Sequence, residues 1–369
     1  PPYRVTPVYP AGDARAGGFG SIKFPIGGIN AFEVGDLLGN ERLQPEITTE
    51  LEFGADIRLF RERVNIDVAY YDRTTTDQII QVPLDPTTGF TNQTTNLGEV
   101  ENKGIELLVG LVPVRTPDFS WDLSFNYNKN KNNVVSLGET DQTQLVLNSS
   151  FAIEMRAEAG RPLGAIYAPA SARTPEGSII VNPSTGLPQD ADDLEYRGSI
   201  NPDFTMGFGT GLSYKNFRLS ANADYRKGGV MYSYTARLNY FVGNAWNTQY
   251  NDREPFIIPG SVVDNGDNTF SENTTPIDRS NIFTYWGSNS PTHEQNHIIP
   301  RTFFKLREVV FTYDIPEEWS SKIHLNNTSI SVFGRNLVIW TPEDNHFVDP
   351  EGSTFGTGLS SQLGEFSAI

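Results

Sequence analysis

Apolar and polar residues alternate along several segments of this chain, and this period of two is the feature that most constrains its fold. In the clearest segment, Phe119–Tyr127, the odd positions are aromatic or aliphatic and the even positions are Ser, Asp or Asn. The same alternation occurs in residues 51–59, 64–71, 217–225 and 308–314. Because successive side chains of a β-strand point to opposite faces of a sheet, each segment is predicted to be a strand with one apolar face.

Short polar turns join these strands into predicted hairpins. The turns lie near Arg61, Pro117, Asn216 and Glu317. At their other ends the strands lead into long stretches rich in Gly, Pro, Asn and Thr, namely 74–96, 133–201, 228–299 and 341–369. Strands that all cross one slab alternate short and long connections, so we expect the four turns to lie at one rim. This arrangement is typical of a bacterial outer-membrane β-barrel.

Length and composition agree with a barrel and exclude other classes. The longest apolar runs, such as Leu107–Val112, are much shorter than the ~20 residues of a membrane-spanning helix, which excludes a helical membrane protein but not a β-barrel. The predicted strands match the ~9–11 residues that cross a bilayer obliquely, whereas soluble strands average ~5–6, so a soluble β-sandwich or β-helix is the less favoured alternative. The net charge of −17 argues against nucleic-acid binding, and the absence of Cys excludes disulfides and thiolate catalysis.

Neither end of the sequence has the features of a natural terminus. The chain starts with Pro1 rather than Met, its first residues lack the basic and apolar regions of a signal peptide, and it stops at Ile369 within a polar, Gly-rich stretch. We therefore expect a fragment of a longer protein.

About eight short motifs, in a common order over residues 43–351, resemble successive strands of the SusC/RagA-type TonB-dependent transporters. The first is Leu43–Glu46 followed by Glu50–Gly54, which is similar to the start of a barrel strand in that family. The others are Asp67–Thr74, Asn102–Glu106, Trp121–Lys131, Asn201–Phe204, Tyr214–Phe217, Phe304–Glu308 and Gly334–Leu337, followed by Trp340–Thr341 and Asp349–Glu351. Their common order makes the match specific.

The resemblance implies the C-terminal portion of an all-β, antiparallel transmembrane β-barrel with a plug and about 22 strands. On this interpretation residues 1–369 are one partial barrel domain, and the plug, the TonB box and the last strand are absent from the chain. The resemblance also implies the outer membrane of a Gram-negative Bacteroidota cell, with contact to its lipid. The implied activity is nutrient import driven by the TonB complex, which acts through the missing N-terminal region.

The implied substrate is an oligosaccharide or a peptide, which a SusD-like surface lipoprotein delivers. Two alternatives remain open at this point. One is a TonB-dependent receptor of the siderophore or cobalamin type, and the other is a secreted β-rich adhesin or enzyme.

Three motifs suggest chemistry, but their contexts do not support it. His293–His297 matches the zinc-protease pattern H-E-x-x-H, yet Pro291 and Pro300 limit any helix there to about two turns. Asp264–Asn268 resembles a calcium loop without its terminal Glu, so we interpret it as an Asx/Gly turn. Gly207–Gly211 lies within a strand pattern, where glycine eases the curvature of a barrel or the crowding of side chains. We therefore predict no catalytic residue, no metal and no cofactor, and a protein that is not an enzyme.

The longest predicted loop contains four aromatic residues among Asn, Thr and Ser, and these form the candidate binding site. They are Trp246, Tyr250, Tyr285 and Trp286. Aromatic rings beside amide and hydroxyl groups suit stacking and hydrogen bonding to a glycan, or the capture of a peptide. The alternatives are packing between loops or contact with a partner lipoprotein.

Overall fold

The computed structural model describes residues 13–15, 21–23, 25, 27–30, 35–138, 143–150, 152–287, 294–345 and 348–352. The strands are, in chain order, β1 (Asp13–Arg15), β2 (Ser21–Lys23), β3 (Leu37–Leu38), β4 (Ile47–Leu59), β5 (Val64–Pro83), β6 (Asn92–Arg115), β7 (Phe119–Ser136), β8 (Gln144–Ser150), β9 (Ile153–Glu158), β10 (Ala165–Ala168), β11 (Glu195–Ser199), β12 (Phe204–Tyr214), β13 (Phe217–Lys227), β14 (Val230–Tyr232), β15 (Val262–Asp264), β16 (Phe270–Glu272), β17 (Ile298–Pro300), β18 (Phe303–Asp314) and β19 (Ser329–Trp340). The α-helices are α1 (Tyr234–Phe241), α2 (Arg279–Gly287) and α3 (Glu317–Ser320), and 3-10 turns occupy Pro86–Thr88, Trp246–Arg253, Gln295–His297 and Ser321–Ile323.

The main sheet has nine strands, and eight of them are neighbours in chain order: β4, β5, β6, β7, β12, β13, β18 and β19. All neighbours in this series are antiparallel, and β3 adds a short parallel contact to β6. The predicted antiparallel fold is therefore confirmed. The sheet is an open wall, because β4 and β19 each have one neighbour among the described strands.

Register places the apolar positions of all eight strands on one face of this wall. One cross-strand row runs through Ile57, Ile66, Val109, Phe125, Phe208, Ala223, Leu306 and Val338. The row beside it lies on the opposite face and runs through Asp56, Asp67, Leu108, Asn126, Gly207, Asp224 and Lys305. The alternation of single strands thus becomes a continuous apolar band on one face and a mainly polar surface on the other.

The four short turns lie at one rim, as predicted, because the strands are antiparallel neighbours in chain order. Backbone hydrogen bonds join adjacent hairpins there. The amide of Lys215 donates to the carbonyl of Asp118, and the amide of Asp314 donates to the carbonyl of Asn216, both at 2.8 Å. We call this the turn rim, and we call the opposite one the loop rim.

The prediction of a long loop over residues 74–96 is wrong. β5 continues to Pro83 and β6 begins at Asn92, so that Gln78 pairs with Leu97 and Val82 pairs with Gln93. The polar composition of this stretch disguised two strands whose Thr, Ile and Val residues favour β-structure. The strands extend beyond the wall because their apolar side chains join a core at the loop rim.

That core lies under the long connections. Its buried members are Ile80, Val82, Leu97, Val100, Val134, Leu137, Leu147, Ile153, Met155, Ala157, Ile166, Ala168 and Tyr232. β8, β9, β10 and β11 form a four-stranded sheet within the predicted loop 133–201, so that stretch is largely structured. None of the described helices is long and apolar enough to cross a bilayer.

Candidate functional site

The structure brings three of the four predicted site residues to one cavity at the loop rim. Trp246, Tyr285 and Trp286 line this cavity, which has a volume of about 800 Å³. The side chain of Trp246 is 82% exposed, and the rings of Tyr285 and Trp286 meet edge to face with centroids 4.7 Å apart. Tyr250 is not among the described residues that line this cavity. It packs instead against Phe256, with ring centroids 4.9 Å apart.

Two short helices set the position of the aromatic wall. α1 is capped by Ser233, the residue before its first turn, whose hydroxyl oxygen accepts a hydrogen bond from the amide of Ala236 at 3.0 Å. α2 packs against α1 through an edge-to-face contact between Phe241 and Phe283 at 5.5 Å. The same packing sets the ring of Trp286 6.0 Å from that of Tyr240. The rings of Tyr240 and Trp286 therefore face the cavity from α1 and α2.

Polar groups complete the side of the cavity that carries the aromatic rings. A guanidinium nitrogen of Arg197 donates to the side-chain oxygen of Gln295 at 2.6 Å and lies 3.1 Å from the carboxylate of Glu195. Two buried donors, Nε of Arg197 and Nε1 of Trp286, have no hydrogen-bond partner among the described residues. Both atoms are covered by protein, so the polar groups open to a ligand are the exposed amide side chains of the lining, such as that of Asn296.

The far wall comes from the segment that follows β19. Glu343 and Asp344 line the cavity there, and both are exposed. They are central residues of a turn in which the amide of Asn345 donates to the carbonyl of Pro342 at 2.9 Å. Sequence reasoning missed these residues and Arg197, because no local pattern indicates which distant loops meet across a cavity.

A network of ion pairs fixes the end of that segment to the polar face of the wall. The Lys305 ammonium group lies 2.6 Å from one carboxylate oxygen of Asp349 and also pairs with Glu351. The Arg307 guanidinium donates to Glu351 at 2.6 Å and to Asp224 at 2.6 Å. We call these five residues the latch. Hydrogen bonds from Arg307, and secondarily the Lys305 ammonium group, lower the pKa of Glu351 to about 2 against the opposing effect of burial.

The glutamate of the H-E-x-x-H pattern, Glu294, has a structural role. The carboxylate of Glu294, which is 4% exposed, accepts hydrogen bonds from the hydroxyl of Tyr232 at 2.7 Å and from Nε of Arg237 at 2.9 Å. Burial and the neighbouring Glu294 raise the pKa of Tyr232. His297 packs on Tyr240 at 5.1 Å, and His293 lies outside the described residues. Glu294 thus joins the segment before β17 to β14 and α1.

Two other motifs also have structural explanations. The carboxylates of Asp264 and Asp267 accept hydrogen bonds from the amides of Gly266 and Thr269, as expected of an Asx/Gly turn. A Cβ at Gly207 would overlap the Asn126 side chain, so the glycine relieves crowding. Across the described ranges, no group of three or more His, Cys, Asp or Glu residues is placed to hold a metal ion.

Comparison with known proteins gives the family. The profile of the family described as TonB dependent receptor-like, beta-barrel matches residues 9–251, which is more than half of the chain. The chain belongs to this family. TonB-dependent receptor P3 of Formosa agariphila is 26% identical over 336 residues, covering 85% of this chain and 31% of that protein. TonB-dependent receptor SusC of Bacteroides thetaiotaomicron is 28% identical over 194 residues, covering 49% of this chain and 19% of that protein.

The fold is also that of a solved transporter. The structure of the RagAB peptide transporter matches 95% of this chain and 36% of that chain with a TM-score of 0.65 at 19% identity. This TonB-dependent receptor chain thus spans about a third or less of the length of the relatives it matches. It is a SusC/RagA-like part of an outer-membrane β-barrel, and its family is one of receptors and transporters.

Membership of this family assigns the two faces of the wall. In an outer-membrane barrel the apolar band meets lipid, and the alternate side chains face the lumen. The latch therefore lies on the lumen side, since Asp224 and Lys305 belong to the polar face. Through the latch, the segment that follows β19 is bound to this face near the loop rim.

Proposed function

We propose that this chain is the C-terminal part of the barrel of a SusC/RagA-like importer, which takes up an oligosaccharide or a peptide and catalyses no reaction itself. The cavity at the loop rim carries the proposal, because it presents aromatic rings beside amide and carboxylate side chains. Trp246 offers the exposed ring, and Tyr285 and Trp286 offer the fixed rings. Tyr250 supports this wall through Phe256, whose ring lies 5.4 Å from that of Tyr285.

The partners follow from the same proposal. A SusD-like surface lipoprotein delivers the substrate to the loop rim, and the TonB complex supplies energy through the N-terminal region of the full-length receptor. RagAB, whose fold this chain shares, is a peptide transporter, and one of the similar receptors is SusC. Both similarities support an importer of this type.

Uptake by cells tests the function. A strain that lacks the gene should lose uptake of a defined oligosaccharide or peptide, and the full-length receptor should co-purify with a lipoprotein from the membrane. Loss of siderophore or cobalamin uptake instead would contradict the proposal and favour the other class of receptor.

Substitution of the aromatic wall tests the site. Trp246→Ala combined with Trp286→Ala should reduce uptake roughly tenfold, since a loss of about 1.4 kcal/mol in binding free energy lowers affinity tenfold. The matched control is Trp319→Ala, whose side chain is 59% exposed but lies at the turn rim. Equal uptake by the two variants would rule out the cavity as the binding site.

A further inference from the structure

The position of two acidic side chains at the cavity is fixed by the backbone around them. The turn at Pro342–Asn345 is closed by a hydrogen bond between its ends, and the side chain of Asn345 is buried to 1% exposure. The carbonyl of Asn345 also accepts from the Thr341 hydroxyl at 2.8 Å. Glu343 and Asp344 therefore project from the tip of an anchored turn.

The latch holds this segment from its other end. Val348 is fully buried in a small core with Met231 and Ile299, and Lys305 and Arg307 bind the carboxylates that follow it. The far wall of the cavity is thus attached to β14, β17 and β18 at several points. Lys305 and Arg307 are positioning residues for that wall.

The charges around the cavity are unequal. Glu343 and Asp344 form no ion pair with any residue that the structure describes. Arg197 is the cationic member of the lining, and its charge is already opposed by Glu195 at 3.1 Å. A ligand in the cavity therefore meets a negative potential, which disfavours anions.

The hydrogen-bonding groups indicate what would fit. The carboxylates of Glu343 and Asp344 accept hydrogen bonds and therefore require donors from a ligand. A sugar hydroxyl is such a donor, and sugar rings stack on exposed aromatic surfaces such as Trp246. An added carboxylate or sulfate on the sugar would be repelled by Glu343 and Asp344.

We propose that Glu343 and Asp344 make this cavity selective for uncharged oligosaccharides and exclude anionic ones. The proposal rests on the proposed import function and specifies its substrate class. Two like charges near a bound anion are expected to weaken its affinity on the order of tenfold.

The local potential can be measured with small quenchers of tryptophan fluorescence, using the full-length receptor in detergent at pH 8 and constant ionic strength. The signal of Trp246 is the difference between each protein and its Trp246→Phe version. We compare iodide, caesium and acrylamide on the wild type, on Glu343→Gln/Asp344→Asn and on a control, Asp264→Asn/Asp267→Asn. The control removes two charges from a turn that does not line the cavity.

In Glu343→Gln/Asp344→Asn, the ratio of iodide quenching to acrylamide quenching of Trp246 should rise at least twofold, and caesium quenching should fall. The control should match the wild type. Equal ratios in all three proteins, or equal changes in the two variants, would overturn the proposal.

Ligand binding gives the second measurement. Neutral xylo-, malto- and laminari-hexaoses are compared by calorimetry with hexamers of galacturonate and of sulfated galactose. At least one neutral hexamer should bind, every anionic one should bind at least tenfold more weakly, and Glu343→Gln/Asp344→Asn should remove that difference.

Binding of no neutral hexamer, or tight binding of an anionic one by the wild type, would overturn the selectivity. These failures are distinguishable from failure of the proposed function. A strain that lacks the gene and loses uptake of a peptide or an anionic glycan would still establish import while refuting the selectivity.

Discussion

Burial distinguishes two arginine–carboxylate pairs of similar geometry at the loop rim. Nε of Arg237 lies 2.9 Å from Glu294, and their side chains are 14% and 5% exposed. Arg279 pairs with Glu254 in an equally direct way, but those side chains are 71% and 52% exposed. Water can replace the partner of an exposed charge but not that of a buried one, so the two pairs should differ in their contribution to stability.

Replacement of each arginine by leucine tests this difference. Arg237→Leu leaves Glu294 buried without its cation, and the free energy of opening α1 should fall by about 3–5 kcal/mol. Arg279→Leu removes an exposed pair and should leave the free energy of opening α2 nearly unchanged. Native-state hydrogen exchange of the α1 and α2 amides measures the two effects. Equal losses in the two variants would contradict the assigned role of Glu294.

The latch should respond to acid at a pH far below the usual range for carboxyl groups. Hydrogen bonds from Arg307 hold the pKa of Glu351 at about 2, below its ordinary 4.5. Because the folded-state pKa is lowered, the stabilisation is present above 4.5 and is lost as the pH falls through 2. A nitroxide on Gly352→Cys should therefore become mobile near pH 2. The same label on a Glu351→Gln background should show no such transition, and release centred near pH 4.5 would contradict the shift.

Two glycines on strand β6 of the sheet have different surroundings. A Cβ at Gly104 would overlap the ring of Tyr71 and lie 2.7 Å from the carbonyl of Lys129. A Cβ at Gly110, on the same strand β6, would have its nearest neighbours at 3.8 Å, on Asn65. Tyr71 thus occupies the space that only a glycine leaves open at position 104.

Alanine substitutions should separate the two glycines. Gly104→Ala forces Tyr71 and the backbone to move and should cost about 1–3 kcal/mol, as overpacking does. Gly110→Ala should leave stability within about 0.5 kcal/mol of the wild type. Urea unfolding of the full-length receptor, followed by the heat-modifiable band shift, gives both values. Comparable losses at the two positions would contradict the packing of Tyr71 over Gly104.

At the scale of elements, the sequence was informative where one face of a strand is apolar. Phe119–Tyr127 alternates cleanly, and it lies within β7 as predicted. Residues 74–83 are polar and β-branched without a clean alternation, and their pairing with β6 is decided by burial of Ile80 and Val82 in the core at the loop rim.

The candidate site was predictable only in part for a similar reason. Trp246, Tyr285 and Trp286 are recognisable by residue type, but Tyr250 packs on Phe256 outside the cavity wall. Glu343, in the turn after β19, and Arg197, on β11, both line the cavity although they are far apart in the chain. Tertiary contacts of this range have no local signature, so single-residue patterns could not place them.

At the scale of the whole molecule, the two faces of the sheet contact different environments, lipid on the apolar face and water on the lumen face. On the apolar face, Leu123 pairs with Leu111 and Thr210. On the polar face, the next residue, Ser124, is exposed and pairs with Gly110 and Gly209. Labels at these two neighbouring positions should therefore report contact with lipid and contact with the lumen, respectively.

Substitutions at these two positions test the assignment of the faces. In the full-length barrel, Leu123→Arg should cost about 2–4 kcal/mol near the bilayer midplane, and Ser124→Arg should cost much less. A soluble sheet would also penalise Leu123→Arg, so labelling must decide. The chain has no Cys of its own, and a fluorophore on Leu123→Cys should be quenched by a lipid-borne probe whereas one on Ser124→Cys should not. The reverse pattern, or no quenching at either position, would contradict the placement of the apolar band in the membrane.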